Sequence, residues 1–359
     1  MRTIVHWDAD RFFASIEQAA DRRLRSRPVA VGAPHRGAIL SASPEARQLG
    51  VRPGWPTARA RRAIPHLIIV PPHYELYERF ADQILSLCLE TSPMVETASV
   101  GSAWVDLTGA ERLLRSSPES TVMQLRKTVR QWLKVSISAG IASNKLTARI
   151  AARLRKPGAQ ITVPPGAERS FLAPLPLRAL PGLDPQSLAA LEAGGLRTIG
   201  ALATIPLDAL ASVLGRHALL WQRRAQGLSE EPVAPPKAKS EGWQESIEFS
   251  EDAWEEPVLL AALRTLAERL MARVRAAGVE IRRLTLELRY ADRGESQRAF
   301  DAPVPTALES DIFPALPDLL AAAWTRRVRI RRLRLAASRV YRPAPQLDLF
   351  APTARREAD

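Results

Sequence analysis

The sequence has few of the residues that hold secreted, metal-binding or membrane proteins together. Cys88 is the single cysteine in 359 residues, so no disulfide can form within the chain. The five histidines are scattered and lack the spacing of metal ligands. No apolar run approaches the ~18 residues of a membrane-spanning helix, and the N-terminus lacks the apolar core of a signal peptide. These absences predict a soluble cytoplasmic protein with no membrane partner.

Negative charge and lysine are also scarce. The chain has 38 Asp and Glu against 51 Lys and Arg, a formal charge of +13, and only six of the 51 cations are lysines. A surplus of this sign predicts a polyanionic partner, with nucleic acid as the first candidate. The arginine bias fits bidentate phosphate binding, but it fits a GC-rich genome equally well, and composition does not separate the two.

The length predicts two to four domains, because one domain typically takes roughly 150 residues. Residues 1–166 alternate short strand and helix signals, whereas residues 167–230 are rich in Leu and Ala and read as helical. Residues 231–242 combine proline with charge, which is typical of a linker. Residues 243–341 return to alternating strands around long helices, and residues 342–359 form a tail.

Three segments, taken in order, resemble the motifs of Y-family translesion DNA polymerases. WDADRFFASIE (residues 7–17) matches the opening pattern D-x-D-x-F-[FY]-A-x-[IV]-E. SPEARQLGV, from residue 43, matches N-Y-x-A-R-x-[FL]-G-V of the fingers, and SNKLTARIAARLRKPG (residues 143–158) matches S-x-N-K-x-x-A-K-x-A-x-x-x-x-K-P-x-G. The resemblance extends over about residues 1–350.

This resemblance implies an α/β multidomain right-hand polymerase fold. Palm and fingers would occupy residues 1–166, with the fingers at about 19–72, and a helical thumb would follow at 167–230. The little finger at 243–341 is expected to be βαββαβ-like. The segment around Gly182 resembles the helix-hairpin-helix of the thumb, whose loop amides hold a phosphate backbone in the family.

The catalytic site departs from the family pattern. Nucleotidyl transfer uses two divalent cations held by carboxylates, and the family supplies three acidic residues. Asp8 matches the first, but Gly101 and Ser102 stand where the other two belong, in SVGSAWVDLT against S-x-D-E-x-[YF]-x-D-x-T. The resemblance therefore implies a non-catalytic protein, similar to the ImuB branch, that requires no cofactor. The alternative is an active DNA-directed DNA polymerase that uses Mg²⁺ with a substitute carboxylate such as Glu96 or Asp106.

The nucleotide-binding positions are mixed. Phe13 matches the residue that excludes ribonucleotides, and Arg47 and Lys156 match triphosphate contacts, while Pro44 replaces the usual Tyr. Each has a plainer explanation. Phe13 could be core, the two cations could be solvated surface charges, and Asp8 with Asp10 could cap the following helix.

Arginines on two predicted strands of the little finger are candidates for sequence-independent phosphate contacts. They are Arg282, Arg283, Arg289, Arg326, Arg327, Arg329, Arg331, Arg332 and Arg334. Residues 325–342 contain no acidic residue, which favours a cationic stripe over an ordinary solvated face. The predicted partner is primer-template DNA, which would make the protein nucleoid-associated.

The tail contains Gln346, Leu347, Asp348, Leu349 and Phe350, which resemble the Q-L-x-L-F peptide by which bacterial polymerases bind the sliding clamp. An apolar tail folded back on the little finger is the alternative. The resemblance further implies a partner polymerase or a recombinase-like accessory protein in DNA repair and translesion synthesis.

Overall fold

The computed structural model describes residues 2–33, 37–235 and 243–342. The chain divides into two compact units, Met1–Ala238 and Lys239–Asp359. No helix in the described ranges is long and apolar enough to cross a membrane.

The described residues form twelve strands and fourteen α-helices. The strands are β1 (Ile4–Ala9), β2 (Val29–Gly32), β3 (Ile39–Ala42), β4 (Ile68–Val70), β5 (Val95–Ser99), β6 (Ser102–Asp106), β7 (Ile137–Ala142), β8 (Gln160–Thr162), β9 (Gln244–Ala253), β10 (Glu280–Tyr290), β11 (Glu295–Thr306) and β12 (Ile330–Tyr341). The helices are α1 (Phe12–Ala20), α2 (Pro44–Gln48), α3 (Thr57–Ala63), α4 (Tyr74–Leu89), α5 (Glu111–Leu114), α6 (Pro118–Leu133), α7 (Lys145–Leu154), α8 (Glu168–Leu172), α9 (Pro185–Ala193), α10 (Ile199–Thr204), α11 (Leu207–Leu214), α12 (Ala218–Ala225), α13 (Glu256–Ala276) and α14 (Leu316–Ala323).

The first unit is built on a five-stranded sheet in the order β5-β6-β1-β7-β8, with β1 at its centre. Both faces of β1 are covered, because alternate side chains of a strand point to opposite faces. Val5 and Trp7 join the core cluster that includes residues of α4 and α6. Ile4 packs with Ala148 and Ala151 of α7 on the other face. Asp8 has the parity of Ile4 and therefore lies on the face that α7 covers.

Helix α7 approaches the sheet closely because Gly140 of β7 has no side chain. A Cβ at this position would lie 2.1 Å from the carbonyl oxygen of Ala148 and 2.5 Å from the backbone nitrogen of Ala152. Any larger residue would push α7 away from β7. Gly140 thus brings the residues of α7 within reach of the end of β1.

Outside the main sheet, the first unit has a small three-stranded sheet, β3-β2-β4, with its own core between residues of β2, α2 and α3. Helices α8 to α12 follow in residues 168–225 and bury leucines such as Leu172, Leu202 and Leu210. The Leu/Ala-rich sequence predicted helices here, and helices are found.

The second unit has the element order β9-α13-β10-β11-α14-β12, which confirms the predicted βαββαβ pattern. Its four antiparallel strands lie in the order β11-β10-β12-β9, and buried residues of α13 and α14 share one core with them. Helix α14 has only eight residues. Two short 3₁₀ turns, Glu309–Asp311 and Phe313–Ala315, precede it, and Pro317 lies in its first turn, where proline is tolerated.

Candidate functional site

Asp8 lies at the end of the central strand, and two cationic side chains hold its carboxylate. Lys156 Nζ is 2.7 Å from Oδ1, and Arg153 Nε donates a hydrogen bond to Oδ2 at 3.2 Å. The Asp8 side chain is only 15% exposed. Each oxygen of this carboxylate therefore already has a positively charged partner from the chain itself.

Asp10 has a different role, although it is only two residues away. It is 2% exposed, and it accepts hydrogen bonds from Ser136 Oγ at 2.9 Å, Ser138 Oγ at 2.8 Å and the Gly158 backbone N–H at 2.7 Å. Helix α1 starts after Arg11 without a side-chain cap, so the capping explanation for the two aspartates is wrong. Asp10 ties the end of β1 to β7 and to the segment after α7.

Ser102 stands directly opposite Asp8 in the register of β1 and β6. Its Oγ is 2.7 Å from Ser99 Oγ across the β5–β6 hairpin. The turn of this hairpin contains Gly101, whose φ of +83° is a left-handed conformation that favours glycine. A Cβ on Gly101 would lie 2.5 Å from Phe12 Cδ2. Phe12 thus fills the space that a side chain at position 101 would need.

The two proposed substitute carboxylates lie elsewhere. Asp106 pairs with Ile4, four residues along the strand from Asp8, which is roughly 13 Å at about 3.3 Å per residue. Glu96 is held by Lys145 Nζ at 2.7 Å and by the Ala234 backbone N–H at 2.8 Å. Within residues 2–33, 37–235 and 243–342, no group of three or more His, Cys, Asp or Glu side chains could hold a metal ion.

The structure brings only some of the predicted nucleotide-binding residues close to Asp8. Lys156 lies at Asp8, whereas Arg47 lies on α2, where partial burial and the nearby Arg11 lower its pKa. The Phe13 ring packs against Tyr77 with centroids 4.8 Å apart. Pro44 occupies the first turn of α2, a position that suits proline.

The SNK motif (residues 143–145) stabilises the start of α7. Asn144 Oδ1 caps α7 by accepting from the Thr147 N–H at 2.9 Å, and Asn144 Nδ2 donates to the Gly227 carbonyl at 2.9 Å. Lys145 is 3% exposed and pairs with Glu231 at 2.7 Å as well as with Glu96. These contacts join the start of α7 to β5 and to residues 227–231, which follow α12, so the motif has a structural use that is independent of catalysis.

Two cations of α7 near Asp8 were missed at the level of sequence. Arg153 contacts Asp8, and Arg149 lies one turn earlier, with its Nε buried and without a hydrogen-bond partner. The only available signal was their spacing of four residues, which places them on one face of a helix. His6, two residues before Asp8, is fully buried, and burial lowers its pKa from 6.5 to about 3.

Acidic residues from other segments neutralise part of the arginine stripe of the little finger. Arg326, Arg331 and Arg334 form ion pairs with Asp292, Asp252 and Glu287, which lie outside residues 325–342. These three arginines are therefore paired with acidic residues of other segments, although residues 325–342 themselves contain none. In the described ranges Arg327, Arg329 and Arg332 have no ion-pair partner.

Arginines of the neighbouring strand β10 also have partners within the second unit. Arg283 pairs with Asp301 at 2.5 Å, Arg289 lies 3.6 Å from Glu295, and Arg282 Nε donates to the Ala302 carbonyl at 3.3 Å. Arg332 lies directly opposite Arg289 in the sheet. Like charges in such a pair repel each other, so an anion placed between them would be favourable.

Gly182 lies in the turn before α9 with φ +89°, as a tight loop requires. The predicted clamp-binding residues, Gln346 to Phe350, lie outside the described residues.

Comparison with known proteins gives consistent matches along the chain. Residues 7–153 match the impB/mucB/samB family, and residues 244–349 match the C-terminal domain of the same family. A DNA polymerase IV of Opitutus terrae is 33% identical over 97% of this chain and 89% of its own length. A DNA polymerase IV of Halorhodospira halophila is 33% identical over 98% of both chains.

The fold is similar to a solved Y-family DNA polymerase chimera of Dbh and Dpo4, with a TM-score of 0.77, 21% identity and coverage of 94% of this chain and 99% of that one. This similarity confirms the predicted right-hand polymerase fold with a little-finger sheet. Together with the matches to family and relatives, it shows that the chain belongs to the impB/mucB/samB family of Y-family DNA polymerases.

Proposed function

We propose that this protein is a DNA-binding factor of repair and translesion synthesis that does not itself catalyse nucleotidyl transfer, as in the ImuB-like branch of the family. One observation carries the proposal. Ser102 stands opposite Asp8, and among the described residues no group of three or more His, Cys, Asp or Glu side chains could hold a metal ion.

A two-metal site requires more than these residues offer. A bound Mg²⁺ pair would activate the primer hydroxyl and stabilise the leaving pyrophosphate, but Mg²⁺ needs near-octahedral oxygen ligands and usually carboxylates. Here the Asp8 carboxylate is paired with Lys156 and Arg153, and Asp10 is saturated by hydrogen bonds. The residues present do not fit the metal pair. Removing a single preorganised electrostatic group typically lowers a rate by ~10²–10³, and here two charged ligands are replaced.

DNA binding is supported by charge and by the family. The chain carries a formal charge of +13, and Arg327, Arg329 and Arg332 of the second unit have no ion-pair partner among the described residues. Such contacts to phosphates carry no base specificity. In this proposal palm and fingers span residues 1–166, the thumb 167–230 with Gly182 at its phosphate-binding loop, the linker 231–242 and the little finger 243–341.

Recruitment is assigned to the tail. Gln346 to Phe350 would bind the sliding clamp, with the Leu and Phe side chains in an apolar pocket. A partner polymerase or a recombinase-like accessory protein would supply the activity that this palm lacks. The protein would then position partners at stalled primer ends.

An active low-fidelity polymerase is the second candidate, and the name DNA polymerase IV of relatives at 33% identity favours it. Asp106 cannot serve as the missing metal ligand, because it lies roughly 13 Å along the strand from Asp8. Glu96 would have to release both Lys145 and the Ala234 N–H.

The proposal predicts tight binding without turnover. Fluorescence anisotropy with a labelled primer-template should give an affinity that falls steeply with salt, with a log–log slope of about −0.9 per neutralised phosphate. The affinity should be the same in EDTA and in Mg²⁺ at matched ionic strength. Binding that is weak, independent of salt, or dependent on Mg²⁺ would contradict the proposal.

A further inference from the structure

The surroundings of Asp8 are dominated by positive charge. Arg153 and Lys156 contact its two oxygens, and Arg149 lies one helical turn before Arg153 on α7. Burial and the nearby Arg153 lower the pKa of Arg149, while Asp8 acts in the opposite direction. His6 adds no charge at neutral pH, because its pKa is about 3. Asp8 therefore faces three cationic side chains, and Asp10, whose Oδ1 is 3.6 Å from Lys156 Nζ, adds a second carboxylate.

The net charge around Asp8 is positive, as it would be in a site that held two divalent metal ions. Two divalent cations held by three carboxylates leave an excess of about one positive charge facing the substrate phosphates. Here the excess is positive without any metal ion. Arg153 and Lys156 stand on Asp8 where a divalent cation would otherwise bind.

The cations retain unused hydrogen-bonding capacity. Within the described residues Arg153 contacts Asp8 through Nε, which leaves the terminal nitrogens of its fork available to a second partner. Arg149 Nε is buried with no hydrogen-bond partner, and a buried unsatisfied donor is unfavourable. Like charges four residues apart on a helix also repel each other. A bound anion would relieve both costs.

We propose that this site binds the phosphate groups of a nucleotide or of a DNA strand without a divalent cation, with Arg153 and Lys156 taking the place of the metal pair. Guanidinium groups bind phosphate oxygens bidentately and keep their positive charge near neutral pH. Because no metal ion would take part, binding would be insensitive to chelators. The proposal rests on the non-catalytic function above, because an active metal pair would need Asp8 free of both cations.

The test is calorimetric titration of the full-length protein with dATP or inorganic tripolyphosphate, in EDTA and in Mg²⁺. Binding should be present in EDTA, and it should be no tighter in Mg²⁺, which neutralises the probe. Arg153→Ala should weaken binding in EDTA at least tenfold. Arg155→Ala is the matched control, because Arg155 is exposed on the same segment and has no contact with Asp8. Circular dichroism melting would show that both variants are folded.

The two sources of phosphate are distinguished by competition. If dATP displaces tripolyphosphate but primer-template DNA does not, the ligand is a nucleotide, and the reverse identifies a DNA phosphate. Binding that requires Mg²⁺, or equal affinities of Arg153→Ala and Arg155→Ala, would overturn the inference. Failure of the non-catalytic function would show separately, as primer extension that depends on Asp8.

Discussion

Adding a side chain at Gly101 should destabilise the first unit far more than the same change at a comparable glycine. A Cβ at Gly101 would lie 2.5, 2.7 and 2.9 Å from three ring carbons of Phe12, and the residue has φ +83°. Gly109 has a similar φ of +75°, but nothing lies within 4 Å of its Cβ position. The two glycines thus separate backbone strain from steric clash.

The magnitudes follow from this difference. Left-handed backbone costs a non-glycine residue about 1–2 kcal/mol, which applies to both sites. Overpacking a filled core costs a further ~1–3 kcal/mol, which applies only at Gly101. Gly101→Ala should therefore lower the free energy of unfolding by about 2–5 kcal/mol and Gly109→Ala by about 1–2 kcal/mol.

The assay is urea unfolding of the two variants beside the parent protein, followed by the double variant Gly101→Ala, Phe12→Leu. The smaller side chain should relieve the clash, so the two substitutions together should cost less than the sum of their separate effects. If Gly101→Ala is as stable as Gly109→Ala, Phe12 does not block this position. Confirmation would also mean that Gly101→Asp with Ser102→Glu cannot restore a metal site unless Phe12 moves.

Three further predictions concern other parts of the chain. The pKa of His6 is about 3 in the folded protein and 6.5 in the unfolded chain, so below pH 6.5 the unfolded chain binds a proton that the folded protein does not. The free energy of unfolding is therefore highest above pH 6.5 and decreases as pH falls. His6→Leu should therefore remove about 2 kcal/mol of the stability loss between pH 6.5 and 5, as measured by urea unfolding; an unchanged pH dependence would contradict this. Arg332→Ala should weaken DNA binding and reduce the magnitude of the salt slope by about 0.9, whereas Arg326→Ala, whose guanidinium is paired with Asp292, should have a smaller effect; equal effects would refute the assignment. Leu349→Ala with Phe350→Ala should abolish sliding-clamp binding in calorimetry, and unchanged clamp affinity would rule out the tail as the clamp-binding peptide.

Local sequence patterns predicted much of the architecture because they reflect local physics. The alternation in the second unit predicted strands around long helices, and β9-α13-β10-β11-α14-β12 is found. The Leu/Ala-rich residues 167–230 predicted helices, and α8 to α12 lie there. These elements depend on the periodicity of neighbouring residues, which a single sequence displays directly.

Contacts between distant residues could not be predicted in this way. Arg153 meets Asp8 only because α7 packs on that face of β1, and the sequence gives no measure of which face a helix covers. Arg331 forms an ion pair with Asp252, at a place where the register between β12 and its neighbours shifts. Acidic partners from other strands therefore escaped a count made within residues 325–342.

Single-turnover primer extension shows whether this palm performs nucleotidyl transfer. The protein in excess over a labelled primer-template is incubated with all four dNTPs and either Mg²⁺ or Mn²⁺, beside Asp8→Ala. The primer should stay unextended, and the parent protein and Asp8→Ala should give the same result. Extension by the parent protein that Asp8→Ala abolishes would show a working metal site and contradict the account.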